Sequence, residues 1–180
     1  MKPSVDSFDL AYANNASIKT EFAMLDTLTH GLQGLVVLGG ETGTGKTTFV
    51  LNIAYNAAKQ QHPVLYISYE LGYAELRVKL SAMKGKFAYS LLNKQKHLFL
   101  QAREAILNDP ALDYFKVIDT SLLAAGINYI REGILALKNE FPNSKIPLVV
   151  VDYLQGMPIN TPGEYRLHLA SAVQGLRDLS

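Results

Sequence analysis

The chain has 180 residues, enough for one α/β domain with a substantial buried core. Apolar residues make up 48%, which excludes a disordered or fibrous chain, and a formal net charge of +1 argues for no particular partner. There is no cysteine, so neither a disulfide framework nor a thiolate zinc site is available, in keeping with a reducing, cytoplasmic setting. The opening MKPSVDSFDL lacks the basic-then-apolar pattern of a secretory signal. The longest apolar runs, LVVL and PLVVV, are too short to span a bilayer, so no membrane association is expected.

Taken in order, residues 1–17 read as a polar arm or linker and 18–180 as one domain. GLVVLGG, ending at Gly40, predicts a first strand. The apolar positions Phe49, Val50, Ile53, Ala54 and Ala57 predict a helix from about Lys46 to Gln60. HPVLYIS predicts a second, buried strand with Pro63 at its start, where a missing N–H costs least. Helices follow over Tyr73–Met83 and Lys94–Leu107, then a third strand in YFKVID. Ala124–Phe141 predicts a helix that FPN stops, because the residue before a proline disfavours the helical region. PLVVVDYL predicts a fourth strand, and its unbroken apolar run suits a sheet covered on both faces. A last helix runs from about Glu164. Strands alternating with helices predict a mostly parallel sheet flanked by helices.

Gly40 to Thr47, GETGTGKT, fits G-x-x-x-x-G-K-[ST] at every fixed position, with a strand expected before it and a helix after it. Glycines let such a loop curl its N–H groups inward toward phosphate oxygens, and the helix adds the positive end of its dipole. The nucleotide-binding set is therefore Gly40, Glu41, Thr42, Gly43, Thr44, Gly45, Lys46, Thr47 and Thr48. Lys46 is expected on the β and γ phosphates of ATP and the Thr47 hydroxyl on Mg²⁺. Asp152 stands at the carboxyl end of an apolar strand, where ligands of open α/β sheets bind. Beside a complete phosphate loop it reads as a second Mg²⁺ residue rather than an ordinary strand-end cap. Glu70 ends the second strand in the same way. Position leaves two readings open there: a base taking a proton from the attacking water, or an acid favoured near a helix start.

The runs IKTEFAMLDTLTHGLQGLVVLGGETGTGKTTFVLNIAYNAA, PVLYISYEL, VIDTSLLAAGINYIREGILALKNEF and VVVDYLQGM together resemble the motor domain of replicative DNA helicases of the DnaB family, within the RecA-like P-loop ATPases. The likeness runs from about Ile18 to the end, in order and spacing. It implies a RecA-like ATPase domain over 18–180 whose activity is Mg²⁺-dependent ATP hydrolysis driving movement along single-stranded DNA. It implies Glu70 as the catalytic base, and Gln155, in DYLQ, close to the nucleotide or to a DNA-facing loop. A homo-oligomeric ring of six subunits, with nucleotide at the interfaces and DNA in the channel, is also implied.

Some features depart from that pattern. Glu41 and Thr42 stand where the family usually carries a basic residue and a Pro-Ser pair. In the RecA-like fold a further strand lies between the phosphate-loop strand and the Asp strand, and later segments supply an arginine finger. The chain ends at Ser180 before these, so the later strands are expected to be missing and turnover by this chain alone is expected to be weak. A RecA-like nucleotide-binding switch, or a recombinase-type ATPase without helicase activity, is the alternative. A small-molecule kinase would need an acceptor pocket and a lid, for which there is no signature.

From Arg77 to Arg103 there are basic residues and no acidic one, with Phe87, Tyr89 and Phe99 among them. That could track a single strand, but amphipathic helices with solvated Lys faces are the stronger reading. The loop QGMPINTPGEYR would face the ring channel by resemblance, with only Arg166 basic. The histidines His30, His62, His97 and His168 have no metal-ligand spacing.

Overall fold

The computed structural model describes residues 17–92, 94–120, 126–158 and 165–179. In chain order the elements are α1 (Ala23–Thr29), α2 (Lys46–Lys59), β1 (Val64–Ser68), α3 (Tyr73–Gly85), the short α4 (Tyr89–Leu92), α5 (Lys96–Leu107), a 3₁₀ turn (Pro110–Tyr114), β2 (Phe115–Asp119), α6 (Ile127–Glu140), β3 (Leu148–Asp152), a second 3₁₀ turn (Leu154–Gly156) and α7 (Tyr165–Arg177). The arm expected over 1–17 lies, but for its last residue, outside the described residues.

Three strands form a parallel sheet in the order β2-β1-β3. β1 is central and every one of its residues is buried, as its unbroken apolar run requires. Val64 pairs with Phe115 on one side and Leu148 on the other; Ser68 pairs with Asp119 and Asp152. Alternation along the strands divides the core in two. Val64, Tyr66, Phe115 and Val150 pack with Leu51, Ala54, Ala57 and Ala58 of α2 and with Leu76 and Leu80 of α3. Leu65, Ile67, Ile118, Val149 and Val151 pack with Ile130, Ile134 and Leu137 of α6 and with Ala172 and Leu176 of α7. Small residues set how closely the helices lie. The alanines of α2 are at most 1% exposed, and a Cβ on Gly133 of α6 would meet Ile118 Cδ1 at 3.0 Å and Leu65 Cδ2 at 3.1 Å. A third cluster joins α3 to α5 through Ala82 and Ala102, with Val78, Phe87, Tyr89 and Leu98.

The helices expected from periodicity are present, with ends shifted by a few residues. α6 begins at Ile127, and the expected start at Ala124 falls in 121–125, outside the described residues. Phe141 caps α6 just before Pro142, as the FPN signal requires. Two short helices, α1 and α4, are additional to the sequence reading. α1 follows a turn organised by Asp26, whose carboxylate accepts hydrogen bonds from the Thr20 amide and hydroxyl and the Glu21 amide.

The expected first strand is a correction. Residues 35–40 carry no strand ladder among the described residues, and Val36, Val37 and Leu38 are 59%, 68% and 46% exposed. The physical reason is the absence, among the described residues, of a neighbouring strand. An apolar run becomes a strand only where a partner supplies hydrogen bonds, and among the described strands β3 forms the sheet's edge with its ladder turned to β1 alone.

Candidate nucleotide-binding site

The phosphate loop leads directly into α2. Gly43 and Gly45 have φ of +82° and +91°, values at which a Cβ would strain the backbone, so glycine is required at both. Gly45 is the N-cap of α2 and supplies no side chain to cap it. The first amides of the helix are thus left for an anion rather than for a Ser, Thr or Asp oxygen. Thr44 donates its hydroxyl to the Glu41 carbonyl at 2.8 Å, closing the loop. Lys46 Nζ donates to the carbonyls of Gly40 at 2.8 Å and Glu41 at 2.7 Å, so the ammonium sits inside the loop's curve. Thr42, Gly43 and Thr48 are exposed.

The structure brings Thr47 and Asp152 together across 105 residues: the Thr47 hydroxyl lies 3.3 Å from Asp152 Oδ1. Asp152, 9% exposed, ends β3, and its other oxygen, Oδ2, accepts a hydrogen bond of 2.7 Å from the hydroxyl of Tyr66. Tyr66 is fully buried in β1. Burial first, then the Asp152 charge and hydrogen bond, and lastly the Glu70 charge all push its phenol well above the ordinary tyrosine range. Glu70 lies just past β1 and is exposed. Gln155 is in the 3₁₀ turn after β3, also exposed. The chain geometry there is close: the Tyr69 amide donates to the Asp152 carbonyl at 2.7 Å, and burial pushes the Tyr69 phenol up to about 12.

The oxygen donors fit a Mg²⁺ ion. A hydroxyl and a carboxylate converge on one point, both hard ligands, and Mg²⁺ takes few protein ligands because it keeps waters and phosphate oxygens. Among the described residues no group of three or more His, Cys, Asp or Glu side chains is placed to hold a metal ion. The two-oxygen arrangement is of the kind Mg²⁺ takes, since that ion keeps waters rather than a full protein cage.

Sequence reasoning missed Tyr66. The available signal was a hydroxyl-bearing residue in an otherwise apolar strand, since a buried phenol needs a hydrogen-bond partner. Three residues of the basic stretch, Arg77, Lys79 and Lys84, have partners within the fold. Arg77 bonds and stacks on Tyr73, Lys79 lies over the Tyr89 ring, and Lys84 pairs with Asp109. Most of the loop after Gln155 expected to face a channel, residues 159–164, lies outside the described residues, and nothing is described of the Arg166 side chain. No helix among the described residues is long and apolar enough to cross a membrane.

A phosphate-loop sequence leading into a helix, beside a parallel sheet flanked by helices, is the arrangement of a P-loop α/β domain. The chain belongs to the DnaB-like helicase C-terminal domain family, which it matches over residues 17–180. It is 34% identical over 154 residues to a probable replicative DNA helicase of Trieres chinensis, covering 81% of this chain and 32% of that protein. The chain thus spans about a third of that relative's length. Among solved structures, the ATPase domain of G40P superposes with a TM-score of 0.78 at 20% identity, covering 99% of this chain and 69% of that one. A DnaB-like replicative helicase, described with its interactions with primase, superposes with a TM-score of 0.79 at 20% identity, covering 97% and 46%. At that identity the superpositions establish the fold. Family membership favours a helicase-type ATPase domain, a nucleotide-binding unit, over a free-standing switch or recombinase-type ATPase.

Proposed function

We propose that the chain is the ATP-binding motor domain of a replicative DNA helicase, coupling Mg²⁺-dependent ATP hydrolysis to translocation on single-stranded DNA. The observation that carries this reading is the meeting of Thr47 and Asp152 at the mouth of a complete phosphate loop. The loop amides from Gly40 to Thr48 and the open N-terminus of α2 bind the phosphates. Lys46 exchanges its two loop carbonyls for β and γ phosphate oxygens. Thr47 and Asp152 hold Mg²⁺, which when bound neutralises charge developing on the phosphates. Glu70, exposed at the carboxyl edge of the sheet, takes the proton of the attacking water. Gln155, exposed in the turn after Asp152, lies in this reading close to the nucleotide or to a DNA-facing loop.

Work of this kind uses a homo-oligomeric ring, six subunits in this reading, in the cytoplasm. The deciding experiment is ATP turnover by the full-length protein with Mg²⁺, with and without single-stranded DNA, for wild type and Glu70→Gln. DNA-stimulated turnover that Glu70→Gln lowers by about 10²–10⁴-fold with nucleotide affinity kept is the expected result. Turnover indifferent to DNA, or to Glu70→Gln, would overturn it.

A further inference from the structure

Among the described residues, the hydroxyl of Tyr66 makes one hydrogen bond. β1 is otherwise Val64, Leu65, Ile67 and Ser68, and a phenylalanine would fill the same buried volume. Burying a phenol without a partner is costly, and the partner here is Asp152 Oδ2 at 2.7 Å. Strand register builds the contact: Tyr66 pairs with Val150 and Ser68 with Asp152, so Tyr66 and Asp152 are diagonal neighbours on one face of the sheet. From the other side the Tyr66 ring stacks on Phe115 of β2, centroids 6.0 Å apart and planes at 22°. The ring is thereby held between both neighbouring strands.

The two carboxylate oxygens of Asp152 are divided between two partners. Oδ2 takes the Tyr66 hydroxyl and Oδ1 faces the Thr47 hydroxyl. The terminal torsion of an Asp is broad and nearly two-fold, so an untethered carboxylate would rotate freely between orientations. A rigid donor on one oxygen fixes where the other points. We infer that Tyr66 is a positioning residue for the metal: it pins Asp152 through Oδ2 so that Oδ1 stays aimed at Thr47 and at the Mg²⁺ they share. This inference rests on the metal role proposed above for Asp152. Such outer partners of metal ligands are commonly worth about 10–100-fold in metal affinity.

The test is Mn²⁺ binding to the purified chain with ADP, followed by the electron paramagnetic resonance of free Mn²⁺, for wild type, Tyr66→Phe, Asp152→Asn and the double variant. ADP affinity in excess chelator serves as the metal-free control. Tyr66→Phe should raise the Mn²⁺ half-saturation about tenfold while leaving ADP affinity in chelator unchanged, a split that loss of packing would not produce. In the Asp152→Asn background the same change should have no further effect, because the hydroxyl acts through Asp152. If Asp152→Asn weakens Mn²⁺ and Tyr66→Phe does not, the positioning role is overturned and the metal role stands. If neither does, the metal role itself fails, and this inference with it. Should Tyr66→Phe not fold, 3-fluorotyrosine placed at position 66 keeps the ring and strengthens the hydroxyl as a donor. An unchanged Mn²⁺ half-saturation with that residue would equally overturn the proposal.

Discussion

Gly156 has no room for a side chain. A Cβ there would stand 2.3 Å from Tyr69 Cβ and 2.9 Å from its Cγ, the stiff base of that side chain rather than a tip that could swing aside. Gly156→Ala therefore forces either the 3₁₀ turn after β3 or the end of β1 to shift. We expect a loss of about 1–3 kcal/mol, read from the midpoint of urea unfolding. Lys46 presents the opposite case. Its ammonium is exposed and bonded to two loop carbonyls, so the fold needs it little while the proposed ligand needs it greatly. Lys46→Ala should leave the unfolding midpoint within about 0.5 kcal/mol of wild type. Nucleotide affinity, measured by fluorescence of a labelled analogue, should fall roughly ten- to a hundred-fold, the worth of one to two charge-assisted hydrogen bonds.

At the scale of elements, two polar ties hold helices and strands in place, and both weaken in acid. Asp109, which begins the turn before β2, accepts from Lys84 of α3 at 2.7 Å and from Tyr55 of α2, and caps its own turn through the Ala111 amide. Burial pushes its carboxyl up, but the hydrogen bonds from Lys84 and Tyr55 outweigh this and hold it below the ordinary value of 3.8. Its contribution is thus present above that value and lost as pH falls through the lower, folded one. His62, at the entry to β1, bonds through Nδ1 to the Ile146 carbonyl at 2.8 Å, just before β3. Burial is the main cause holding its imidazole below 6.5; the Ile146 hydrogen bond opposes this and the Lys145 charge adds to it. The unfolded chain then takes up a proton first, so stability is full above pH 6.5 and declines as pH falls toward the folded value. Stability measured by denaturant from pH 8 to 3 should therefore fall in two stages. His62→Gln should flatten the stage that begins near 6.5, and Asp109→Asn the one below 4. At neutral pH Asp109→Asn should also cost about 1–2 kcal/mol, because Lys84 and Tyr55 lose a charged acceptor while Lys84 remains partly solvated.

The same elements mark what was legible beforehand. α2 could be placed from Phe49, Val50, Ile53, Ala54 and Ala57, and β1 from VLYIS, because periodicity and an apolar run are local signals. The phosphate loop was legible because its chemistry lies within eight consecutive positions. The Tyr66–Asp152 contact was not, since it spans 86 positions and depends on register. LVVL has the local pattern of a strand, yet a strand is a property of a pair, and nothing in that segment says whether a neighbour is present. α1 was missed because seven residues, none of them buried, leave little periodicity to detect.

Across the whole molecule, the segment leading into the phosphate loop carries a run of exposed apolar residues. Val36, Val37 and Leu38 are exposed, as are Met24 and Leu28 of α1 at 81% and 75%. β3 adds an edge whose outer backbone groups face no described strand. Exposed apolar residues and an open sheet edge are each a setting for self-association. Val37→Lys should reduce dye binding and concentration-dependent association, followed by light scattering, with unfolding stability within about 0.5 kcal/mol of wild type. An unchanged association would place the sticky surface elsewhere.

The strand order also governs time. β1 sits at the centre of the sheet, yet both of its partners come later in the chain: Val64 waits for Phe115 and then for Leu148. At a synthesis rate of about 5–20 residues per second, roughly 4–17 seconds separate the making of β1 from the making of β3. For that interval the strand buried along its whole length in the finished molecule has no complete shelter. A cell making this protein must keep VLYIS from other company until its second neighbour has left the ribosome.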